Sequence, residues 1–307
     1  MRLSFHRFLL LLLLAALPAC SREEGPDLSP EEESAEPVSG EQSETVRHER
    51  RSYDIISREL PCSRDGIDIY GVLTMPEGVE GPLPVVVFSH GLLGHFHNWT
   101  AYAEACARNG FAAYCFDFIG GSHANRSGGL FRDMSIFTEE EDLKAVLDMI
   151  LHQDFTDGKR VFLAGASQGG LVSAMTAADR PEDIRGLFLL YPAFNIPELG
   201  SYYIDLYGGY DNLPDKVSIL GFTLYRKYAE NLSGYDPYAE ISRYGGDVLV
   251  LHGTFDLLVP LSCSEKAVST FPNARLETLR GQGHGFDESG TAQAIDFCLD
   301  YLYEHTE

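Results

Sequence analysis

"RVFLAGASQGGLVSAM", residues 160–175, sets one serine among small residues directly after a short apolar run. If the chain turns sharply from strand to helix at Ser167, that residue takes a strained backbone conformation. Its neighbours two before and two after then crowd each other unless they lack side chains. Gly165-Ala166-Ser167-Gln168-Gly169 meets that requirement. Such a turn exposes the serine hydroxyl and aims the start of the next helix at whatever the serine attacks.

Working outward, buried strands alternate with helices. Residues 67–76 read as a strand after a turn at Asp65-Gly66, and "LPVVVFSHG" (83–91) as a strand buried on both faces. A helix over 98–110 is closed by glycine, and "FAAYCFDF" (111–118) is the next strand. Thr138 and Glu141 are expected to form a capping box, followed by Leu143, Val146, Leu147 and Ile150 on one helical face. Residues 160–165, 185–192, 247–253 and 274–279 read as further strands. Helices are expected over 168–178 and near 264–270, and Ile295, Cys298, Leu299 and Leu302 mark a last one. This order implies an α/β fold, a mainly parallel sheet with helices on both faces. Between 193 and 241 the rhythm breaks and tyrosines gather: Tyr202, Tyr203, Tyr207, Tyr210, Tyr225 and Tyr228. That stretch reads as a cap insertion over the sheet, its tyrosines either a pocket wall or cap packing.

Reactive groups in such a sheet gather beyond the carboxyl ends of the strands. Ser167, Asp256 in "HGTFDLLVP" and His284 in "GQGHGF" all fall there, in the order serine, aspartate, histidine. Serine is a poor nucleophile until a base takes its proton, which His284 can do near neutral pH. Asp256 would hold the imidazole in the useful tautomer and stabilise its charged form. The Gln168 amide, at a helix start, is one candidate oxyanion donor, and the Leu92 amide is the second. His90 and His252 are expected to brace the loops beside these residues, and Asp117 to hold the "GGSHANRSGG" loop. His95 and His97 without a third ligand do not make a metal site.

The motifs "FSHGLLG", "FDFIGGSHANRSGG", "GASQGG", "HGTFDLLVPLSCSEKA" and "GQGHGF" resemble those of α/β-hydrolases, in the branch of the cinnamoyl and feruloyl esterases. The resemblance covers residues from about 53 to the end. It implies a serine hydrolase acting on carboxylic esters, aromatic-acyl esters included, with Ser167, Asp256 and His284 catalytic. Leu92 and Gln168 then form the oxyanion hole, and neither metal nor organic cofactor is required. A peptidase or amidase of the same fold is one alternative, and a non-catalytic surface binding protein the other.

The first twenty residues read as an export signal: Arg2 and Arg7, the apolar run 8–17, then Leu17-Pro18-Ala19-Cys20. That run is shorter than the roughly 20 apolar residues a membrane span needs. Residues 17–20 resemble a bacterial lipobox, which implies cleavage after residue 19, lipidation at Cys20 and attachment to a bacterial membrane. An ordinary soluble secreted form is the alternative. Residues 21–52 hold ten acidic and four basic residues and little that is bulky and apolar, so 20–52 is expected to be an acidic flexible tether to a domain at 53–307. The net charge of −23 over 307 residues argues against nucleic acid as a partner. Five further cysteines lack metal-binding spacing, and their pairing stays open.

Overall fold

The computed structural model of the protein describes residues 50–219 and 221–306. The expected signal, Cys20 and nearly all of the acidic tether lie outside the described residues. Along the chain run β1 (Ile55–Glu59), β2 (Cys62–Arg64), β3 (Ile67–Ile69), β4 (Gly71–Pro76), β5 (Leu83–Ser89) and β6 (Ala112–Phe116). Then come β7 (Thr156–Ala166), β8 (Gly186–Leu190), β9 (Lys216–Ile219), β10 (Phe222–Tyr225), β11 (Asp247–Gly253) and β12 (Asn273–Leu279). Eight of these build one sheet in the order β1-β4-β6-β5-β7-β8-β11-β12. From β6 to β12 every neighbour pair is parallel. β4 runs antiparallel to β6, and β1 antiparallel to β4.

The continuous apolar runs are explained by burial on both sides. Val85, Val87, Leu163 and Leu189 face a core completed by Leu143, Val146 and Leu147 of the helix Ile136–Leu151, and by Leu171 and Met175 of the helix Gln168–Asp179. The alternate residues Val86, Phe88, Phe162 and Phe188 face Tyr102, Cys106, Leu299 and Leu302, from the helices Thr100–Arg108 and Glu288–Glu304. Each such side chain, at or near full burial, contributes about 1.5–3 kcal/mol, so neither face of the sheet can be left bare.

Three local readings are corrected. Residues 67–76 do not form one strand. Asp65 (φ 52°) and Gly66 (φ 78°) close a small hairpin of β2 and β3, and only Gly71–Pro76 joins the main sheet. The box at the start of the helix Ile136–Leu151 is Ser135 with Thr138, not Thr138 with Glu141. Ser135 is extended, its Oγ accepts from the Thr138 amide (3.3 Å), and Thr138 Oγ1 accepts from the Ser135 amide (2.8 Å). Ile136 is fully buried, so the apolar stripe, and with it the helix, begins earlier than Leu143. β1 had no counterpart in the sequence reading, because only Ile55 in it is even half-buried.

Residues 193–241 carry the helix Ile196–Leu206, the β9–β10 hairpin and the short helix Pro237–Ile241. Among the described residues no helix is long and apolar enough to cross a membrane.

Candidate active site

β5 lies between β6 and β7, so the chain leaves it in opposite directions, and a crevice opens beyond the ends of β5 and β7. Ser89 at the end of β5 is level with Gly165 of β7. Ser167 follows at φ 55°, ψ −120°, a conformation L-residues rarely adopt. The glycines show why it is tolerated. A Cβ on Gly165 would stand 2.3 Å from the Gly169 carbonyl oxygen, and one on Gly169 would stand 2.3 Å from the Ser89 carbonyl oxygen. The elbow is therefore clamped backbone to backbone. Ser167 N donates to Leu190 O at 2.9 Å, and Ser167 O accepts from Ala193 N at 2.9 Å.

His284, in the loop between β12 and the last helix, bridges the other two candidates. Its Nε2 accepts from Ser167 Oγ at 3.0 Å, and its Nδ1–H donates to Asp256 Oδ2 at 2.8 Å. The acceptor on Nδ1 fixes the tautomer, leaving Nε2 free to take the serine proton. Asp256 is held in turn by the amides of Leu258 and Val259, both 2.9 Å from Oδ1. Burial alone would raise this carboxyl, but hydrogen bonds from His252, His284 and Val259 outweigh it and hold it well below the usual carboxylate range. It stays an anion where an imidazolium needs one.

The bracing residues act as expected. His90 donates from Nδ1 to Gly91 O at 2.8 Å and accepts from Phe118 N at 3.2 Å, tying the loop after β5 to the end of β6. Burial lowers its basicity, so it braces as a neutral ring. His252 donates from Nε2 to Val259 O at 3.0 Å and accepts from Ser264 Oγ at 2.7 Å. Asp117, fully buried, takes the amides of Phe96 (2.7 Å) and Arg126 (2.6 Å) and so holds its loop. His95 and His97 stand 5.7 Å apart ring to ring, and among the described residues no group of three His, Cys, Asp or Glu could hold a metal.

Above Ser167 opens a cavity of about 560 Å³, lined by Leu92, Gln168 and His284 and roofed by residues 193–232. Gln168 is the first residue of its helix, so its amide has no intrahelical acceptor. Of the expected tyrosines, Tyr203, Tyr225 and Tyr228 line the cavity. Tyr202 and Tyr207 do not: they stand 45 % and 42 % exposed, Tyr202 within the helix Ile196–Leu206 and Tyr207 just past its end. Tyrosine content alone could not separate the two faces.

Sequence reasoning passed over Trp99, Tyr102 and Tyr191, which also line the cavity. Tyr191 follows β8 at φ 36°, and its ring lies 4.6 Å from the His284 ring. Its position at a strand end, like that of Ser167, was the available signal.

A parallel sheet crossed over at β5, with a strained serine elbow and an aspartate and histidine on later strand ends, is the α/β-hydrolase fold. Known proteins bear this out. A family model described as serine aminopeptidase, S33, matches residues 80–209. The structure of Est1E from Butyrivibrio proteoclasticus with ferulic acid bound is 28 % identical. It covers 80 % of this chain and 99 % of its own, with a TM-score of 0.70. Monoglyceride lipase of Rattus norvegicus is 25 % identical over 47 % of this chain and 46 % of its own length. Lipase member M of Mus musculus is 30 % identical over 49 % and 39 %. The chain thus spans less than half the length of these two curated relatives.

Proposed function

We propose that the protein is a serine hydrolase cleaving carboxylic esters through an acyl-enzyme. The observation that carries this reading is His284 bridging Ser167 Oγ and Asp256 Oδ2 at hydrogen-bond distance. Ser167 Oγ attacks the ester carbonyl carbon while His284 Nε2 takes its proton. The carbonyl oxygen gains negative charge and is met by the amides of Gln168 and Leu92, each worth about 3 kcal/mol to the barrier. The C–O bond to the alcohol breaks as His284 returns the proton to the leaving oxygen. Water then repeats the attack, and the acid is released with Ser167 restored.

Aromatic-acyl esters of the feruloyl kind are the proposed substrates. Support comes from the rings of Trp99, Phe222, Tyr203 and Tyr225 in the cavity wall, and from the likeness to a protein holding ferulic acid. The family model's description favours a second reading, aminopeptidase. A free α-amino group needs a carboxylate, and no Asp or Glu lies among the described residues lining the cavity, where Arg226 is the formal cation. Esters therefore suit the cavity better.

We further propose export, with Cys20 lipidated and the hydrolase domain held to a membrane surface by the acidic stretch after it. The support is the basic, apolar and small-residue order of the first twenty residues. Labelling with radioactive palmitate in a bacterial host should be lost in Cys20→Ala.

The activity is tested with methyl ferulate and a short-chain nitrophenyl ester, Ser167→Ala as control. Turnover of both, abolished by the substitution, supports the full reading. Turnover of the nitrophenyl ester alone removes the feruloyl assignment. No turnover, with Ser167 unlabelled by a fluorophosphonate, overturns the hydrolase reading.

A further inference from the structure

Beneath the cap lies a buried polar chain that the reaction above does not use. Glu139 is fully buried on the helix Ile136–Leu151 and accepts on Oε2 from Gln168 Nε2 at 2.7 Å. Gln168 is also fully buried, and its Oε1 accepts from the Tyr228 hydroxyl. Tyr228 is 7 % exposed and sits in the turn Arg226–Ala229 that follows β10. Three segments distant in sequence, one of them the cap, thus meet on the side chain of the residue after Ser167.

The surroundings make this arrangement hard to treat as incidental. A buried carboxyl, amide and phenol in an apolar core each cost stability unless satisfied. Glu139 Oε1 nevertheless has no hydrogen-bond partner among the described residues. Burial raises the Glu139 carboxyl well above its ordinary range, so the site disfavours the charged form. A leucine or methionine at position 139 would pack without that cost, and Met134 Sδ, 3.7 Å from Gln168 Nε2, is only a weak second acceptor for the amide. What the polar chain supplies is direction. Glu139 holds the Gln168 NH₂, which presents Oε1 to the cap.

We propose that Gln168 latches the cap through Tyr228, that Glu139 and Tyr228 are positioning residues for the cap wall of the cavity, and that the acyl chain runs along this wall. The proposal rests on the ester-hydrolase reading. Tyr228 is flanked by the cap residues Leu224, Tyr225, Ala229 and Leu232, all of which line the cavity. A latched Tyr228 fixes that wall against the same residue whose amide faces the reacting carbonyl. An acetyl group is too small to reach most of the wall, whereas an octanoyl group must lie along it. The latch should therefore act on acyl-chain selectivity rather than on chemistry common to all esters.

The test compares nitrophenyl octanoate with nitrophenyl acetate in the full chain, reading kcat and KM separately. Tyr228→Phe is expected to lower the octanoate-to-acetate ratio of kcat/KM about tenfold, chiefly through KM for octanoate. Glu139→Leu should do the same and carries the comparison if Tyr228→Phe fails to fold. Glu139→Gln keeps a carbonyl for the Gln168 NH₂ and should restore most of the ratio. A ratio within twofold of wild type in Tyr228→Phe and Glu139→Leu, even with a lowered Tm, overturns the latch alone. An equal fall for both esters also overturns it. A wild type that turns over neither ester, with Ser167 unlabelled by a fluorophosphonate, overturns the underlying reading and the latch with it.

Discussion

The elbow around Ser167 and the cap above it are fixed by different means. At the elbow, backbone meets backbone: the Gly169 carbonyl occupies the space of a Gly165 side chain, and the Ser89 and His90 carbonyls that of a Gly169 side chain. In the cap, side chains meet side chains. Leu213, ahead of the β9–β10 hairpin, and Val217 and Leu224 within it join the core, and Tyr228 adds its hydrogen bond to Gln168. A backbone contact admits essentially one residue type. A side-chain contact admits any set of similar volume. The first region is therefore spelled out in sequence, and the second could be repacked around a different substrate without disturbing the elbow.

The sharpest way to break this contrast is at the triad. Asp256→Asn should cut kcat for any ester by roughly ten-thousandfold, since the amide stabilises the wrong histidine tautomer. A loss under a hundredfold would remove Asp256 from the role given above. Next comes the clamp. Gly169→Ala places a Cβ 2.3 Å from Ser89 O and 2.4 Å from His90 O, both backbone atoms. It should cost about 3 kcal/mol in denaturant unfolding, or prevent folding. A near-neutral result would show that the elbow yields as easily as the cap.

A smaller effect depends on pH. Because the folded Glu139 carboxyl titrates well above its unfolded value, the folded state keeps a proton that the unfolded state loses as pH rises past about 5. The stability so lost reaches up to about 1.4 kcal/mol per pH unit across that window, and none is lost near pH 4. Glu139→Gln should accordingly match wild-type Tm near pH 4 and exceed it as pH rises above about 5. A pH-independent difference would place the proton elsewhere. The smallest effect belongs to the cap's outer face. Tyr202→Ala should change kcat/KM by less than twofold and stability by under about 0.5 kcal/mol, whereas Tyr203→Ala should raise KM.

What was legible in sequence follows the same division. Ser167 and Asp256 are legible because each follows a buried strand, and such strands announce themselves as apolar runs between breakers. His284 follows the half-exposed edge strand β12 and is legible from its "GQGHGF" loop and its place in the chain order. The β2–β3 hairpin was missed because three-residue strands have no period to read. Tyr202, Tyr203 and Tyr207 read alike in sequence because nothing in their chemistry says which of them faces the cavity. Only packing turns Tyr203 inward and leaves the other two exposed. Glu139 was hidden among acidic neighbours. It looks like its exposed neighbour Glu141, and only packing shows that Glu139 is sealed while Glu141 is solvated.

The two borders of the large sheet have a consequence of their own. β1 and β12 leave one row each of backbone donors and acceptors without a neighbouring strand of the sheet. Such rows invite a second molecule to zip on. Arg58 and Glu59 stand exposed along one border, and Asn273 and Arg275 along the other, with Arg275 bound to Glu304 at 2.7 Å. A neighbour drawing close would have to strip water from those charges before any strand could pair. The charged borders thus work against copies of the protein pairing edge to edge.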